Sequence, residues 1–276
     1  MSQSSLWSSS EMAERWQQDI ERRRQDFAEA TQRMLEAAAL KPGDHVLDIA
    51  AGTGDQSISA AQLVGPGGSI LATDISAEML GIAARVVQQE GLTTITMRVM
   101  DAQQLDLQDN AFDAVICRLA LMLIPHLQQA LREIRRVLKP GGKLAALVWS
   151  APENNPLFSL PLAIVSKYTR GASSHLPNPL ALSDPTVFER ELTEAGFSEV
   201  ITRTLPFQSH YASLDAFLQS TASRLTAGVM GQLRKPEQQH LLGEVKQALS
   251  QFEGSHGLVA PAELLLGVGS KEMRPC

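Results

Sequence analysis

Three aspartates and two glycines carry the clearest chemical signal in this chain. Val46-Leu47-Asp48-Ile49-Ala50-Ala51-Gly52-Thr53-Gly54-Asp55 reads as a strand that enters a glycine turn and then a helix. Glycines at 52 and 54 let backbone approach a bound molecule closely, and a helix N-terminus adds positive potential. A nicotinamide dinucleotide site uses G-x-G-x-x-G to seat a pyrophosphate. Here the third position is Ser57, and Asp48 stands just before the turn, where its charge repels a pyrophosphate. A cationic ligand removes the misfit. Asp48, Asp74 and Asp101 fall at the carboxyl ends of three consecutive expected strands, the edge at which open α/β sheets bind ligands. Asp74 lies 20 residues beyond Gly54, the distance at which an acid meets ribose hydroxyls. Asp101, followed by the small Ala102, is placed to accept from an adenine amino group. Asp48 either faces an ammonium or orders the glycine turn. A ligand with an adenosine, an ammonium and a sulfonium suits this set.

The elements that must position these residues alternate. Residues 9–40 read as one helix ending at Lys41-Pro42-Gly43, with Trp16, Ile20, Phe27, Ala30, Met34 and Ala38 at helical spacing. Arg22-Arg23-Arg24 reads as part of its solvated face. His45–Ala50, Ser69–Asp74, Ile95–Met100, Phe112–Arg118 and Lys143–Trp149 read as strands. Between them, helices are expected over Gly54–Leu63, 77–90 and Leu127–Leu138, with Ser76 as an N-cap, Glu78 in the first turn and Gly91 past the end. Lys139-Pro140-Gly141-Gly142 reads as a turn. This alternation predicts a doubly wound parallel sheet of the α/β class. Residues 150–184 read as a long proline-rich loop with one short helix, Leu160–Tyr168. A helix follows at 185–195, a strand at Glu199–Gln208, interrupted helix at 213–252, and a last strand at Leu264–Val268.

Composition narrows the function class. The 276 residues include 24 Lys or Arg and 30 Asp or Glu, a formal charge of −6, with 44% hydrophobic residues. That is enough for a real core. The acidic balance lacks the basic footprint that phosphate backbones require, so nucleic acid is disfavoured as a partner. No run of about 18 apolar residues is present to span a membrane. The N-terminus shows no basic segment leading into an apolar one. Cys117 and Cys276 make no disulfide framework. A cytoplasmic location is the expectation. The six histidines show no ligand spacing with either cysteine, so no metal site is expected.

With these motifs in order, the chain resembles the class I S-adenosylmethionine-dependent methyltransferases, in the small-molecule branch similar to the ubiquinone/menaquinone C-methyltransferases. Val46–Asp55 is similar to D-x-G/A-x-G-x-G, with Ala50 in the first small position. Ala72-Thr73-Asp74-Ile75-Ser76 with Glu78-Met79-Leu80, then Met100-Asp101-Ala102, then Phe112-Asp113-Ala114-Val115 through Arg118, match successive motifs. Ala130-Leu131-Arg132-Glu133 to Lys139-Pro140-Gly141-Gly142 matches the helix and turn that follow. Val148-Trp149 with Asn155-Pro156 is similar to the entry into that branch's substrate lid.

The resemblance implies a Rossmann-like seven-stranded sheet of order 3-2-1-4-5-7-6, strand 7 antiparallel, and methyl transfer with S-adenosylmethionine as cofactor. It implies an N-terminal helical lid over 1–41, a cofactor-binding core over 42–150, and the rest of the same α/β domain over 151–276, with substrate-lid insertions at about 151–184 and 213–252. By the same analogy Asp48, Gly52 and Gly54 hold the methionine part, and Ala50, Ala51 and Thr53 of the same turn are cofactor-binding. Asp74 holds the ribose, Ile75 and Met79 flank adenine or ribose, Asp101 and Ala102 meet the adenine, and Arg118 borders cofactor and acceptor.

A sulfonium carries its own leaving group, so the enzyme needs chiefly to place a nucleophile in line, which supplies about 7–11 kcal/mol. His126, after the fourth strand, is the candidate base if the acceptor must lose a proton. His210 and Tyr211 read as loop residues, His45 and Asp113 as structural, Cys117 as core, and Asp55 as stabilising a helix start. Trp7 and Trp16 either close over the cofactor or anchor their helix. The apolar insertions favour a small apolar or amphiphilic acceptor, such as a quinone, polyketide or isoprenoid of secondary metabolism. The alternative is a cofactor-bound protein of the same fold with non-methylating chemistry, such as a cyclase. The N-terminal helix offers a surface for a homo-oligomer.

Overall fold

The computed structural model describes residues 20–168, 178–222 and 229–273. Trp7, Trp16, His175 and Cys276 lie outside them. The chain divides into two compact units. Unit 1 comprises Met1–Trp149, Pro177–Leu205 and Leu264–Cys276, and unit 2 comprises Ser150–Leu176 and Pro206–Glu263.

Unit 1 begins with α1 (Ile20–Asp26) and α2 (Ala28–Ala37), then alternates β1 (His45–Ile49), α3 (Asp55–Val64), β2 (Ser69–Asp74), α4 (Ala77–Gln89), β3 (Ile95–Val99), β4 (Phe112–Arg118), α5 (Leu127–Val137) and β5 (Leu138–Trp149). Strand pairing is parallel from β3 to β5. The central strands are apolar on both faces, as a sheet covered by helices on each side requires. Val46, Leu47, Val115, Ile116 and Leu144 through Val148 have no exposed surface.

The rest of the chain adds α6 (Pro156–Tyr168), α7 (Pro185–Glu194), β6 (Ser198–Tyr211), α8 (Leu214–Phe217), α9 (Lys235–Leu249), β7 (Glu253–Gly254) and β8 (Gly257–Ser270). The strand order is β3-β2-β1-β4-β5-β8-β6, with β7 paired to β8 outside this path. Strand β8 runs antiparallel to β5 through Lys143↔Ser270 to Trp149↔Leu264. The path has the expected order, and the expected strand 7 is β8. The addition is β7, which forms a hairpin with Gly257 at φ +93°. Gly267 of β8 lies against the Phe188 ring of α7, where any Cβ would collide. This close approach seats α7 on the sheet.

Unit 2 packs Leu157, Ile164 and Val165 of α6 with Phe217, Leu241, Val245, Leu249 and Leu258. Asn155 ties its start, donating from Nδ2 to the Glu263 carbonyl at 3.0 Å and accepting the Glu263 N–H at 3.0 Å.

Several expected boundaries are corrected. The N-terminal helix breaks at Phe27. The turn at 139–142 is a bulge within β5, with a register shift opposite Phe112 and Ala114. Helix α6 starts at Pro156, not Leu160, because a proline without an N–H is pre-shaped for a helix start, and the helix carries Pro161 in its interior. His210 and Tyr211 are strand residues, and Tyr211 packs edge-on against Phe217 at 5.0 Å.

Candidate functional site

The carboxyl ends of β1, β2 and β3 bring Asp48, Asp74 and Asp101 to one edge of unit 1. Between β1 and α3, residues 50, 52 and 54 all have left-handed backbone, with φ +53°, +57° and +82°. Glycine adopts this freely, whereas Ala50 holds it at a cost of about 1–2 kcal/mol. A Cβ at Gly54 would stand 3.0 Å from the Ala83 Cβ of α4, so two separate constraints select glycine there.

Asp48 is wholly buried and accepts from Gln56 Nε2 and, at 2.5 Å, from Ser57 Oγ. Ser57 therefore stands where a dinucleotide fingerprint has glycine because Asp48 needs its hydroxyl. Burial pushes the Asp48 carboxyl up to about 7, although Ser57, Gln56 and the charge of Arg118 pull it down. Of the two expected roles, the geometry matches ordering of the turn.

Asp74 joins β2 to the same turn. Its Oδ2 accepts the Gly52 N–H at 2.9 Å and its Oδ1 the Ser76 N–H at 2.9 Å. Burial raises its pKa against these bonds. Each oxygen keeps a lone pair for a ligand hydroxyl. Ile75 beside it is exposed, at 39%. Met79 is buried against Ile20, Ile82 and Val86. Asp101 and Ala102 are half-buried after β3. Ala51 and Thr53 are buried within the turn.

Arg118 is the last residue of β4. Its Nη2 pairs with Asp55 Oδ2, and its Nη1 donates to Thr31 Oγ1 of α2 at 2.7 Å. Phe27 lies under the guanidinium, 5.5 Å from it, and meets Trp149 edge-on. Burial pushes the Asp55 carboxyl up, and the charge and hydrogen bond of Arg118 outweigh it, so Asp55 titrates below the usual carboxylate range. Arg23 corrects the solvated-face reading. It is buried, and its Nη2 donates to Thr53 Oγ1 at 3.1 Å. The signal was its spacing, three residues after Ile20 and four before Phe27, on the helix's inner face. Arg23 and Arg118 thus latch α1 and α2 to the glycine turn.

His126 is exposed at the start of α5, and its backbone N–H donates to Gln103 Oε1 at 3.1 Å. Cys117 is core, as expected, and burial raises its thiol pKa. Asp113 and His45 are structural: Asp113 accepts the His45 N–H and the Lys139 ammonium. Among the described residues no His, Cys, Asp and Glu cluster could hold a metal. A cavity of about 570 Å³ near Asn110, Pro140 and Lys271 lies at the far end of the sheet from Asp74. Its Lys271 ammonium is spent on Asn110 Oδ1 and two carbonyls.

The edge fits an adenosine-bearing cation. Asp74 offers lone pairs to hydroxyls, Ile75 offers an apolar face, and among the described residues a Cβ on Gly52 would meet only the Met79 methyl, at 3.9 Å. Residues 40–169 match the family model described as a methyltransferase domain. The ubiquinone/menaquinone biosynthesis C-methyltransferase UbiE of Pseudomonas aeruginosa is 34% identical over 179 residues, which are 60% of this chain and 70% of that protein. The UbiE of Cellvibrio japonicus is 41% identical over 124 residues, 45% of this chain, and the chain spans about half of that relative's length, 50%. Two solved structures share the fold. Haemonchus contortus phosphoethanolamine N-methyltransferase 2, solved with S-adenosyl-L-methionine, matches with TM-score 0.57 at 18% identity over 89% of this chain and 53% of that one. The [4+2]-cyclase SpnF matches with TM-score 0.55 at 21% identity over 89% and 82%. No helix among the described residues is long and apolar enough to cross a membrane. The chain belongs to the S-adenosylmethionine-dependent methyltransferases, with S-adenosylmethionine as its cofactor.

Proposed function

We propose that the protein transfers the methyl group of S-adenosylmethionine to a small apolar or amphiphilic acceptor, with a quinone-like ring the first candidate. One observation carries the mechanism: the edge that collects Asp48, Asp74 and Asp101 sets the Asp74 carboxylate, with a lone pair left on each oxygen, beside a left-handed glycine turn that a ligand can approach closely. Such an edge suits chemistry done by positioning. The cofactor when bound supplies an activated methyl on a sulfonium.

The residues divide the work. Asp74 receives the ribose hydroxyls, and Ile75 lies along the adenosine with Met79 behind it. Asp101 and Ala102 take the adenine edge. Ala50, Ala51, Gly52, Thr53 and Gly54 form the backbone cradle for the methionine part, and Asp48 acts on it through the turn it orders. Arg118 fixes that turn through Asp55. His126 is the candidate base for an acceptor that must lose a proton. The quinone class rests on the UbiE relatives, whose printed role is ubiquinone and menaquinone biosynthesis. The net charge of −6 disfavours a nucleic acid acceptor.

The test is turnover with S-adenosylmethionine and reduced prenylated quinone precursors, polyketides or isoprenoids, followed by mass spectrometry. The expected result is S-adenosylhomocysteine in equal amount to an acceptor one methyl heavier. Product formed with no S-adenosylhomocysteine contradicts methyl transfer and supports the cyclase reading.

A further inference from the structure

We propose that Gln103, which the sequence does not single out, is the positioning residue that sets adenine specificity by fixing the Asp101 carboxylate. The inference rests on Asp101 meeting the adenine. Gln103 Nε2 donates to Asp101 Oδ1 and Oδ2, both at 3.0 Å, and its backbone N–H donates to Oδ1 at 2.8 Å. Its Oε1 accepts the His126 N–H at 3.1 Å, and its carbonyl accepts from Gln129 Nε2 at 2.9 Å.

This arrangement fixes the amide in one orientation. Turned over, it would place Oε1 against a carboxylate and Nε2 against an N–H, opposing like groups at both ends. The carboxylate is therefore held from one side. Oδ1 takes two of these donors and Oδ2 one, so Oδ2 keeps an open acceptor position for an amino group. The same side chain joins Asp101 to the loop between β4 and α5, so one residue aligns the adenine edge with the start of α5.

A 6-amino group donates to the aligned carboxylate, whereas the 6-oxo group of an inosine opposes it. The wild type is expected to bind S-adenosylhomocysteine at least about tenfold more tightly than S-inosylhomocysteine, the worth of one hydrogen bond to a charged group. Gln103→Leu removes both side-chain ties and leaves only the backbone N–H on Asp101 Oδ1. Gln103→Glu keeps an acceptor for the His126 N–H but sets a carboxylate against Asp101.

The experiment is calorimetric titration of both ligands into wild type, Gln103→Leu, Gln103→Glu and Asp101→Asn, each checked for a folded melting transition. The expected result is a preference ratio that falls towards one in both Gln103 variants and in Asp101→Asn. Loss of affinity for both ligands alike, with the ratio kept in both Gln103 variants, means Gln103 is merely structural and overturns the proposal. A ratio lost in Asp101→Asn but kept in the Gln103 variants overturns it while sparing the adenine reading. A wild type with no preference overturns the adenine reading and the proposal with it.

Discussion

Arg118→Met is expected to destabilise the folded protein by about 3–5 kcal/mol, because it strands a buried carboxylate. Both side chains of the Arg118–Asp55 pair are 9% exposed. Breaking the pair from the arginine side also removes the Thr31 bond and the cation over Phe27. The double variant Arg118→Met/Asp55→Asn is expected to be more stable than Arg118→Met alone, since no uncompensated charge remains. Urea denaturation at neutral pH measures both. The pair also has a pH signature. Asp55 is held below the ordinary carboxylate range when folded. Its contribution is thus fully present above the unfolded pKa, near 4, and is lost as pH falls through the lower folded value. An Arg118→Met protein as stable as wild type would show that the latch between α1–α2 and the glycine turn contributes nothing.

Asp48 is expected to act in the opposite direction. Burial raises its carboxyl to about 7 in the folded protein. Between the unfolded value near 4 and the folded value, the folded state binds the extra proton, so stability falls as pH rises. Across that window the loss is about 4 kcal/mol in order of magnitude. Asp48→Asn cannot ionise. Its amide oxygen accepts from Gln56, and its NH₂ faces Ser57, whose hydroxyl can turn to accept. The variant is therefore expected to lack this loss and to gain on wild type steadily from about pH 4 to pH 7, with a constant difference above. Chemical denaturation across that range is the check. Parallel profiles would mean that Asp48 ionises as an ordinary carboxylate in the folded chain.

Both results turn on contacts that the sequence only half reveals. The central strands were legible because parallel strands buried on both faces leave apolar runs, such as Leu144–Val148, whereas their order came only with the family resemblance. The glycine turn was legible because positive φ restricts the choice of residue, and Gly52 and Gly54 show it in their type. Partners far apart in sequence leave no such mark. Arg23 reaches Thr53 and Arg118 reaches Thr31 and Asp55; spacing places Arg23 on its helix's inner face and Arg118 ends a strand, but neither position names these partners. Ser57 was visible as a departure from the dinucleotide pattern, but its reason, the hydroxyl given to Asp48, needed the fold. The hairpin of β7 with β8 had a local signal in Gly254-Ser255-His256-Gly257, a short glycine-flanked turn. Pro161 misled in the other direction, because a proline inside α6 is tolerated where the helix's apolar residues are well buried.

The central claim is that the cofactor binds at the glycine turn through Asp74. Calorimetric titration of S-adenosylmethionine into the wild type and into Asp74→Ala tests it most directly, with the variant's folding verified by its melting transition. Asp74 accepts the Gly52 N–H, so its loss removes the proposed hydroxyl acceptor and loosens the turn together. The account predicts saturable micromolar binding by the wild type and none by the folded variant. Equal binding by both proteins, or no binding to a folded wild type even with candidate acceptors present, would contradict it.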